Sequence, residues 1–346
     1  MKENNQLDVL NDFELWEPET QPDILGREGS FGNIEWDYEA FIENIYEPLR
    51  NKYPEYVTRR SIGFDTSGEH EMFAYEFTPQ KYIKTVYLQS GVHAIETDAY
   101  FGLARLLTMI ADGVDERLRY IRDNVRLLVV PVVSVFGITA RGDYQQIMSK
   151  NRYYYLHNSA EVNANRDYEE RKARETDNVF NYIAEYRDDV CFAFDCHSTT
   201  DVVLGAYLLP MSDGMPEKLL DDHKAINNAL YEKHPTNIYK GYMGEEKDYP
   251  NPKPLTDTYN YGITKSFGIF GITTEHNDYI YDTVLGTSLT MTLSVELIGN
   301  HLLMVCEGSE YNEKLRLGQP IDRYMSGYSG ESVRISDREK RKSAAI

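Results

Sequence analysis

Apolar residues occur along this chain in two patterns, short uninterrupted runs and longer stretches with helical spacing. Runs bounded by polar or turn residues predict strands, here at 57–64, 71–77, 84–89, 127–133, 190–195, 202–209 and 268–274. Stretches with helical character predict helices, here at 38–52, 95–109, 176–186, 216–232 and 283–307. Uninterrupted runs are typical of strands buried on both faces. The alternation predicts an α/β fold with a mixed, largely parallel sheet.

The predicted elements fill one domain, at 36–307. The segment 1–35 is polar and acidic, and we expect a flexible lead-in there. The segment 308–346 has few apolar residues, and we expect a tail or arm. The long connection at 134–174 is rich in arginine and tyrosine. Long irregular connections in compact domains are usually functional or disordered, and its aromatic density favours a functional loop.

The charge and composition of the chain limit the kinds of partner and environment that we expect for it. Lysine and arginine total 36 against 56 acidic residues, a formal net charge of -20. Such a surface repels phosphate backbones, so we expect no nucleic-acid partner. The apolar segment 285–305 contains Glu296, Asn300 and His301, which favours a buried helix over a membrane span. Three cysteines and a polar start without an apolar signal core predict a cytoplasmic protein. Non-classical export and incorporation into a larger assembly remain open.

Three of the predicted strands deliver polar residues at their carboxyl ends: His93 with Glu96, His197, and Glu275. Ligands of open α/β sheets bind at that edge. His93 and Glu96 are three residues apart, so on a first helical turn they would share a face. Two histidines and one glutamate commonly hold catalytic zinc. The alternatives are a Glu96 stabilised by the helix dipole and a core His197 bonded to backbone.

Four short motifs follow one another in the chain. They are Gly-x-His-x-x-Glu at 91–96, Val-x-x-Asn-Arg-Asp-Tyr at 162–168, Asp-x-His-Ser at 195–198 and Thr-x-Glu at 273–275. In this order they resemble the functional residues of the zinc carboxypeptidases of the carboxypeptidase A family, also called funnelins. The resemblance covers residues 56–307 and implies a mixed eight-stranded sheet sandwiched between helices.

The resemblance implies one zinc ion per chain, held by His93, Glu96 and His197, with Glu275 as general base and acid. The residue types suit that chemistry, because zinc lowers the pKa of bound water from 15.7 to about 7. A carboxylate can then carry the proton to the leaving amine. The implied reaction removes the C-terminal residue of a peptide, including a γ-glutamyl or cell-wall stem peptide.

By the same resemblance, Asn165 and Arg166 would bind the free carboxylate of the peptide partner. The planar guanidinium suits a bidentate clamp of that kind. The alternative for Arg166 is an ion pair with Asp167 or Glu169.

Two further roles have more than one candidate. For the arginine that stabilises the oxyanion we prefer Arg152 to Arg141, because it lies closer to the Asn-Arg pair. For the tyrosine that caps the substrate we prefer Tyr249, with Tyr259 and Tyr242 as rivals.

One position departs from the family pattern. Many members carry an aspartate two residues before the Asn-Arg pair, where this chain has Asn163. An amide still accepts a hydrogen bond but adds no charge, so zinc affinity is expected to be lower. Two other functions stay open: a zinc-dependent acyl-amino-acid amidohydrolase resembling succinylglutamate desuccinylase, and a non-catalytic binding or structural protein on a peptidase scaffold. The long Asn-Arg loop and the Thr-x-Glu strand favour the peptidase.

Overall fold

A computed structural model describes most of the predicted domain. The described residues are 37–94, 96–114, 116–139, 162–198, 206–209, 225–232, 262–263, 266–275 and 283–306. Within them, 97–98, 206–209 and 283–293 are described by their backbone alone. The predicted lead-in at 1–35 and tail at 308–346 lie outside the described residues.

Strands within the described residues form one sheet. They are β1 (Val57–Phe64), β2 (Glu71–Phe77), β3 (Lys84–Ser90), β4 (Val125–Val130), β5 (Val190–Cys196), β6 (Ala206–Leu209) and β7 (Gly271–Thr274). Their order is β1-β2-β4-β3-β5-β7-β6. The four strands β4, β3, β5 and β7 run parallel, and β1, β2 and β6 join antiparallel. The mixed α/β sheet is confirmed, and the described residues form seven strands, where the resemblance implies eight.

Helices lie in the predicted segments, and the segment 116–124, for which no helix was predicted, is also helical. They are α1 (Tyr38–Phe41), α2 (Glu47–Lys52), α3 (Thr97–Asp112), α4 (Glu116–Asn124), α5 (Val135–Thr139), α6 (Arg174–Glu185) and α7 (Thr283–Cys306). A π-helical turn, Ile42–Tyr46, joins α1 to α2. Residues 225–232, the described end of another predicted helix, are also helical. The connection predicted as irregular contains α5 near its start.

Helices cover both faces of the sheet, as two neighbouring residues of β2 show. The hydroxyl of Tyr75 donates to Glu47 of α2 (2.7 Å), whereas Glu76 accepts from the hydroxyl of Tyr186 just after α6 (2.7 Å). Successive side chains of a strand point to opposite faces, so α2 and α6 lie on opposite sides. On the α2 side, the ring of Phe41 lies edge-on to two aromatic rings of α3. The prediction of a sheet between helices is therefore confirmed.

The start of β3 is tied to the end of α7. Nζ of Lys84 donates to the carbonyl oxygens of Val305 (3.2 Å) and Cys306 (2.9 Å), where a cation also complements the helix dipole. Within α7, Glu296, Asn300 and His301 are buried. None of the described helices combines the length and the apolar character that crossing a membrane requires.

Candidate metal centre

The segment that carries His93 leaves β3 through a turn at Gly91. Gly91 has φ +60, and a Cβ there would lie 3.0 Å from a methyl carbon of Val132. The backbone of the turn is bonded to the segment after β4, because Ser134 donates its N–H to Gly91 O (2.8 Å) and its hydroxyl to Val92 O (2.6 Å). Only glycine combines this φ with so close an approach. His93 is thereby fixed relative to the sheet edge.

His93 and Glu96 do not share a helical face, so that prediction is wrong. Helix α3 begins at Thr97, and Glu96 just before it has φ -81 and ψ 62. The two residues meet through a turn in which Glu96 N–H donates to His93 O (3.2 Å). The reason is that Ser134 holds the backbone of 91–92, so helical geometry starts only after Glu96.

His197 is positioned by two parallel strands. It directly follows β5, and its N–H donates to the carbonyl of Thr274 at the end of β7 (2.8 Å). Glu275 comes one residue after Thr274 and is half-buried. The backbone therefore places Glu275 beside His197 at the carboxyl edge of the sheet, as predicted from the strand ends.

The structure brings His93, Glu96 and His197 together around one carboxylate. Nδ1 of His93 lies 2.7 Å from Oε1 of Glu96, and Nδ1 of His197 lies 2.7 Å from its Oε2. The N–H of Ser198 also donates to Oε2 (3.2 Å). The imidazole centroids are 5.0 Å apart. Both rings thus direct the same type of nitrogen at the same buried group.

This donor set fits zinc. Two imidazole nitrogens and one carboxylate oxygen lie within 4.8 Å of one another, and catalytic zinc is often held by this set with a fourth position open to water. Tetrahedral coordination at zinc bond lengths separates donors by about 3.3 Å. A small opening of the two 2.7 Å pairs reaches that spacing.

The electrostatics favour a negative Glu96. Burial acts to raise its pKa, but the charges of His93 and His197 and hydrogen bonds from both rings outweigh burial and lower the pKa to about 2. Burial acts to lower the pKa of His197, but the carboxylates of Asp195 and Glu96 raise it well above its ordinary value. Glu96 is therefore ionised between the two rings, and a buried carboxylate beside two imidazole nitrogens offers donors that suit a cation.

The two rings have different outer partners. Nε2 of His93 lies 3.2 Å from Oδ1 of Asn163. Nε2 of His197 lies 3.0 Å from Oδ2 of Asp195, although the ring is turned so that the contact lacks hydrogen-bond alignment. The sequence reasoning gave Asp195 no role. The available signal was its position two residues before His197, a spacing that puts two side chains on the same side of an extended backbone.

Asn165 and Arg166 lie in a 3-10 turn, Ala164–Arg166, next to this site. Oδ1 of Asn163 accepts the N–H of Asn165 (2.9 Å), so the turn and His93 share one acceptor. Arg166 is exposed, and its Nη1 donates to Asn165 O (2.7 Å). Both carboxylate oxygens of Asp167 instead bind the start of α6, including the hydroxyl of Thr176 (2.6 Å).

The remaining predicted site residues lie outside the described part of the chain. They are Arg152 and its rival Arg141, and Tyr249 with its rivals Tyr242 and Tyr259.

A family model for zinc carboxypeptidases matches residues 42–309, which is most of the chain. The chain belongs to the zinc carboxypeptidase family. It is accordingly a metallocarboxypeptidase, a hydrolase that acts on peptide bonds. Among curated proteins, none matches this chain.

Solved zinc carboxypeptidases share its fold. A metallo-carboxypeptidase from Burkholderia cenocepacia is 17% identical, with 77% of this chain and 69% of that one covered and a TM-score of 0.58. Carboxypeptidase A of Helicoverpa armigera is 15% identical, with 81% of this chain and 76% of that one covered and a TM-score of 0.61. Bovine thrombin-activatable fibrinolysis inhibitor, solved with tick carboxypeptidase inhibitor, is 14% identical, with 80% of this chain and 99% of that one covered and a TM-score of 0.57. At these identities the likeness establishes the fold alone.

Proposed function

We propose that this metallocarboxypeptidase holds one zinc ion through His93, Glu96 and His197 and removes one residue from the free C-terminus of a peptide. The observation that carries the proposal is the convergence of two Nδ1 atoms on the two oxygens of one buried carboxylate, each at 2.7 Å. A buried Glu96 between two histidines fits a metal ligand better than a residue that only begins a helix, since its side chain makes no capping hydrogen bond to α3.

Zinc bound there would supply a water with a pKa of about 7. Glu275, half-buried one residue beyond β7, accepts a proton from the attacking water as the new C–O bond forms. It then donates that proton to the leaving nitrogen as the C–N bond breaks, which is the work of a general base and acid. Glu275 therefore takes part in chemistry without holding the metal.

The substrate's end is recognised by Asn165 and Arg166. The exposed guanidinium of Arg166 can reach an incoming carboxylate, and its loop is coupled to the metal site through Asn163. Arg152 for the oxyanion and Tyr249 as the cap complete the proposal on the strength of the family resemblance.

Metal content tests the ligand assignment. Wild type should retain about one zinc per chain after dialysis, and His197→Ala should lose it. His70→Ala is the control, because His70 pairs with Glu39 and lies outside the site. Elemental analysis gives the metal content of all three. Equal zinc in wild type and His197→Ala would overturn the assignment.

Peptide cleavage tests the reaction. A peptide library digested with the zinc-loaded enzyme should yield products that each lack one C-terminal residue, as read by mass spectrometry. Internal cuts, or release of N-acyl groups only, would overturn the carboxypeptidase assignment.

A further inference from the structure

A buried chain of polar side chains runs beneath the metal centre, across two adjacent strands. Gln89 of β3 and Asp195 of β5 are register partners, and Nε2 of Gln89 donates to Oδ1 of Asp195 (3.0 Å). The hydroxyl of Tyr87 donates in turn to Oε1 of Gln89 (3.0 Å). All three side chains are buried. These hydrogen bonds hold Oδ1 of Asp195 in place. The other carboxylate oxygen, Oδ2, lies 3.0 Å from Nε2 of His197.

We propose that Asp195 is the positioning residue for His197, accepting the proton of Nε2 so that Nδ1 is held toward the metal. The inference rests on the proposed zinc site and assigns a role within it to a residue outside the ligand set. Gln89 and Tyr87 act through Asp195, because they hold its carboxylate in place.

The need for such an acceptor follows from imidazole chemistry. A neutral imidazole that binds a metal through Nδ1 carries its proton on Nε2. The side chain of His197 is fully buried, and Nε2 has no aligned hydrogen bond among the described residues. Leaving a buried N–H unpaired is unfavourable. Oδ2 of Asp195, 3.0 Å from Nε2, is within hydrogen-bonding distance of that N–H.

The arrangement also accounts for Asn163. The chain has an amide behind His93 and a carboxylate behind His197. A carboxylate partner raises the basicity of a metal-binding imidazole more than an amide does. The negative charge that assists metal binding is therefore that of Asp195, next to Nε2 of His197.

Zinc affinity tests this role. Metal-free wild type, Asp195→Asn and Asp195→Ala are titrated with zinc against a chromophoric chelator. Loss of an outer partner lowers metal affinity by about 10–100-fold, so we expect Asp195→Ala to fall in that range. Asp195→Asn, which keeps the shape and can still accept, should lose less. Glu175→Gln is the control: Glu175 is a buried carboxylate bonded to Thr66 and not to the site, so affinity should not change.

A second readout separates positioning from stability. In the zinc-loaded, histidine-labelled wild type, the Nε2 proton of His197 should give a downfield resonance that shifts in Asp195→Asn. That signal does not depend on how stable the variant is. If Asp195→Ala does not fold, Asp195→Asn alone decides through its affinity and its resonance.

Unchanged affinity and an unchanged resonance in a folded Asp195 variant would overturn the inference. So would an equal loss of affinity in Glu175→Gln, which would trace the effect to stability. A wild type that binds no zinc would instead overturn the proposed function itself, so the two failures can be told apart.

Discussion

The side-chain oxygen of Asn163 lies 3.2 Å from Nε2 of His93 and joins the 3-10 turn of Asn165 and Arg166 to the candidate metal centre. The same oxygen accepts the N–H of Asn165 (2.9 Å). A neutral amide thus occupies the position where many zinc carboxypeptidases have an aspartate. Replacing Asn163 by aspartate would therefore add a negative charge and keep an acceptor for both His93 and the N–H of Asn165.

Asn163→Asp should raise zinc affinity by about tenfold, because a carboxylate partner increases the basicity of His93. Asn163→Ala should lower it, since both hydrogen bonds are lost. Competition with a chelator measures the two changes. An affinity that falls in Asn163→Asp would contradict this account of the outer partner.

Glu275→Gln separates binding from chemistry. The amide keeps the shape of the side chain but cannot carry a proton, so turnover should fall by about 10²–10⁴-fold. Zinc content should match wild type, because Glu275 is not among the ligands. Turnover close to wild type would remove Glu275 from the mechanism.

Arg166→Ala tests recognition of a free C-terminus. Charge-assisted hydrogen bonds contribute about 1.5–3 kcal/mol each, so wild type should cleave an amidated peptide far more slowly than its free counterpart. Arg166→Ala should show a similar defect on the free peptide and little further loss on the amidated one. Such non-additivity indicates two groups that act on each other. Equal rates of wild type on both peptides would argue for an endo-acting amidase.

Gly91→Ala tests the turn that carries His93. An alanine in the left-handed region costs about 1–2 kcal/mol, and here its methyl group also meets Val132 at 3.0 Å. We expect lower stability in urea denaturation together with weaker zinc binding. Gly68→Ala is the matched control: φ is +78, but the added carbon would lie 3.7 Å from Arg174. It should lose stability alone, and equal zinc loss in both variants would refute the role of the turn.

Glu47 should make stability depend on pH. Burial acts to raise its pKa, but hydrogen bonds from Tyr75 and Arg50 and the charge of Arg59 lower the pKa below its ordinary value. A carboxyl whose folded pKa is lowered stabilises the fold above its unfolded pKa, and this stabilisation is lost as pH falls through the folded value.

Glu47→Gln should therefore unfold at a lower temperature than wild type near pH 7, and the difference should disappear in acid. Thermal denaturation across the pH range measures it. Glu185→Gln is the control, because the ion pair of Glu185 with Arg60 is exposed and contributes little. A Glu47→Gln difference that stays constant down to low pH would contradict the assignment.

Local sequence patterns were enough to predict where the strands that precede the candidate site residues end. The apolar runs before His93, His197 and Glu275 predicted strands whose carboxyl ends differ from the observed ones by at most one residue, because strands buried on both faces have unbroken apolar runs. The turn between His93 and Glu96 could not be predicted, because it depends on contact with Ser134. Periodicity in one segment carries no information about a distant backbone.

The role of Asp195 was hidden for a related reason. Its partner Gln89 is 106 residues away in the chain, and only the observed order of strands puts β3 beside β5. A polar residue in an apolar strand signals that a partner exists. It does not identify the partner.

The span between the metal-site residues has a consequence for synthesis. Glu96 and His197 are separated by 101 residues, so at ordinary translation rates they leave the ribosome roughly 5–20 s apart. During that interval the nascent chain contains His93 and Glu96, but His197 has not yet left the ribosome. The cluster closes only when β5 pairs with β3, so zinc binding at the proposed site would follow that pairing, late in the folding of the chain.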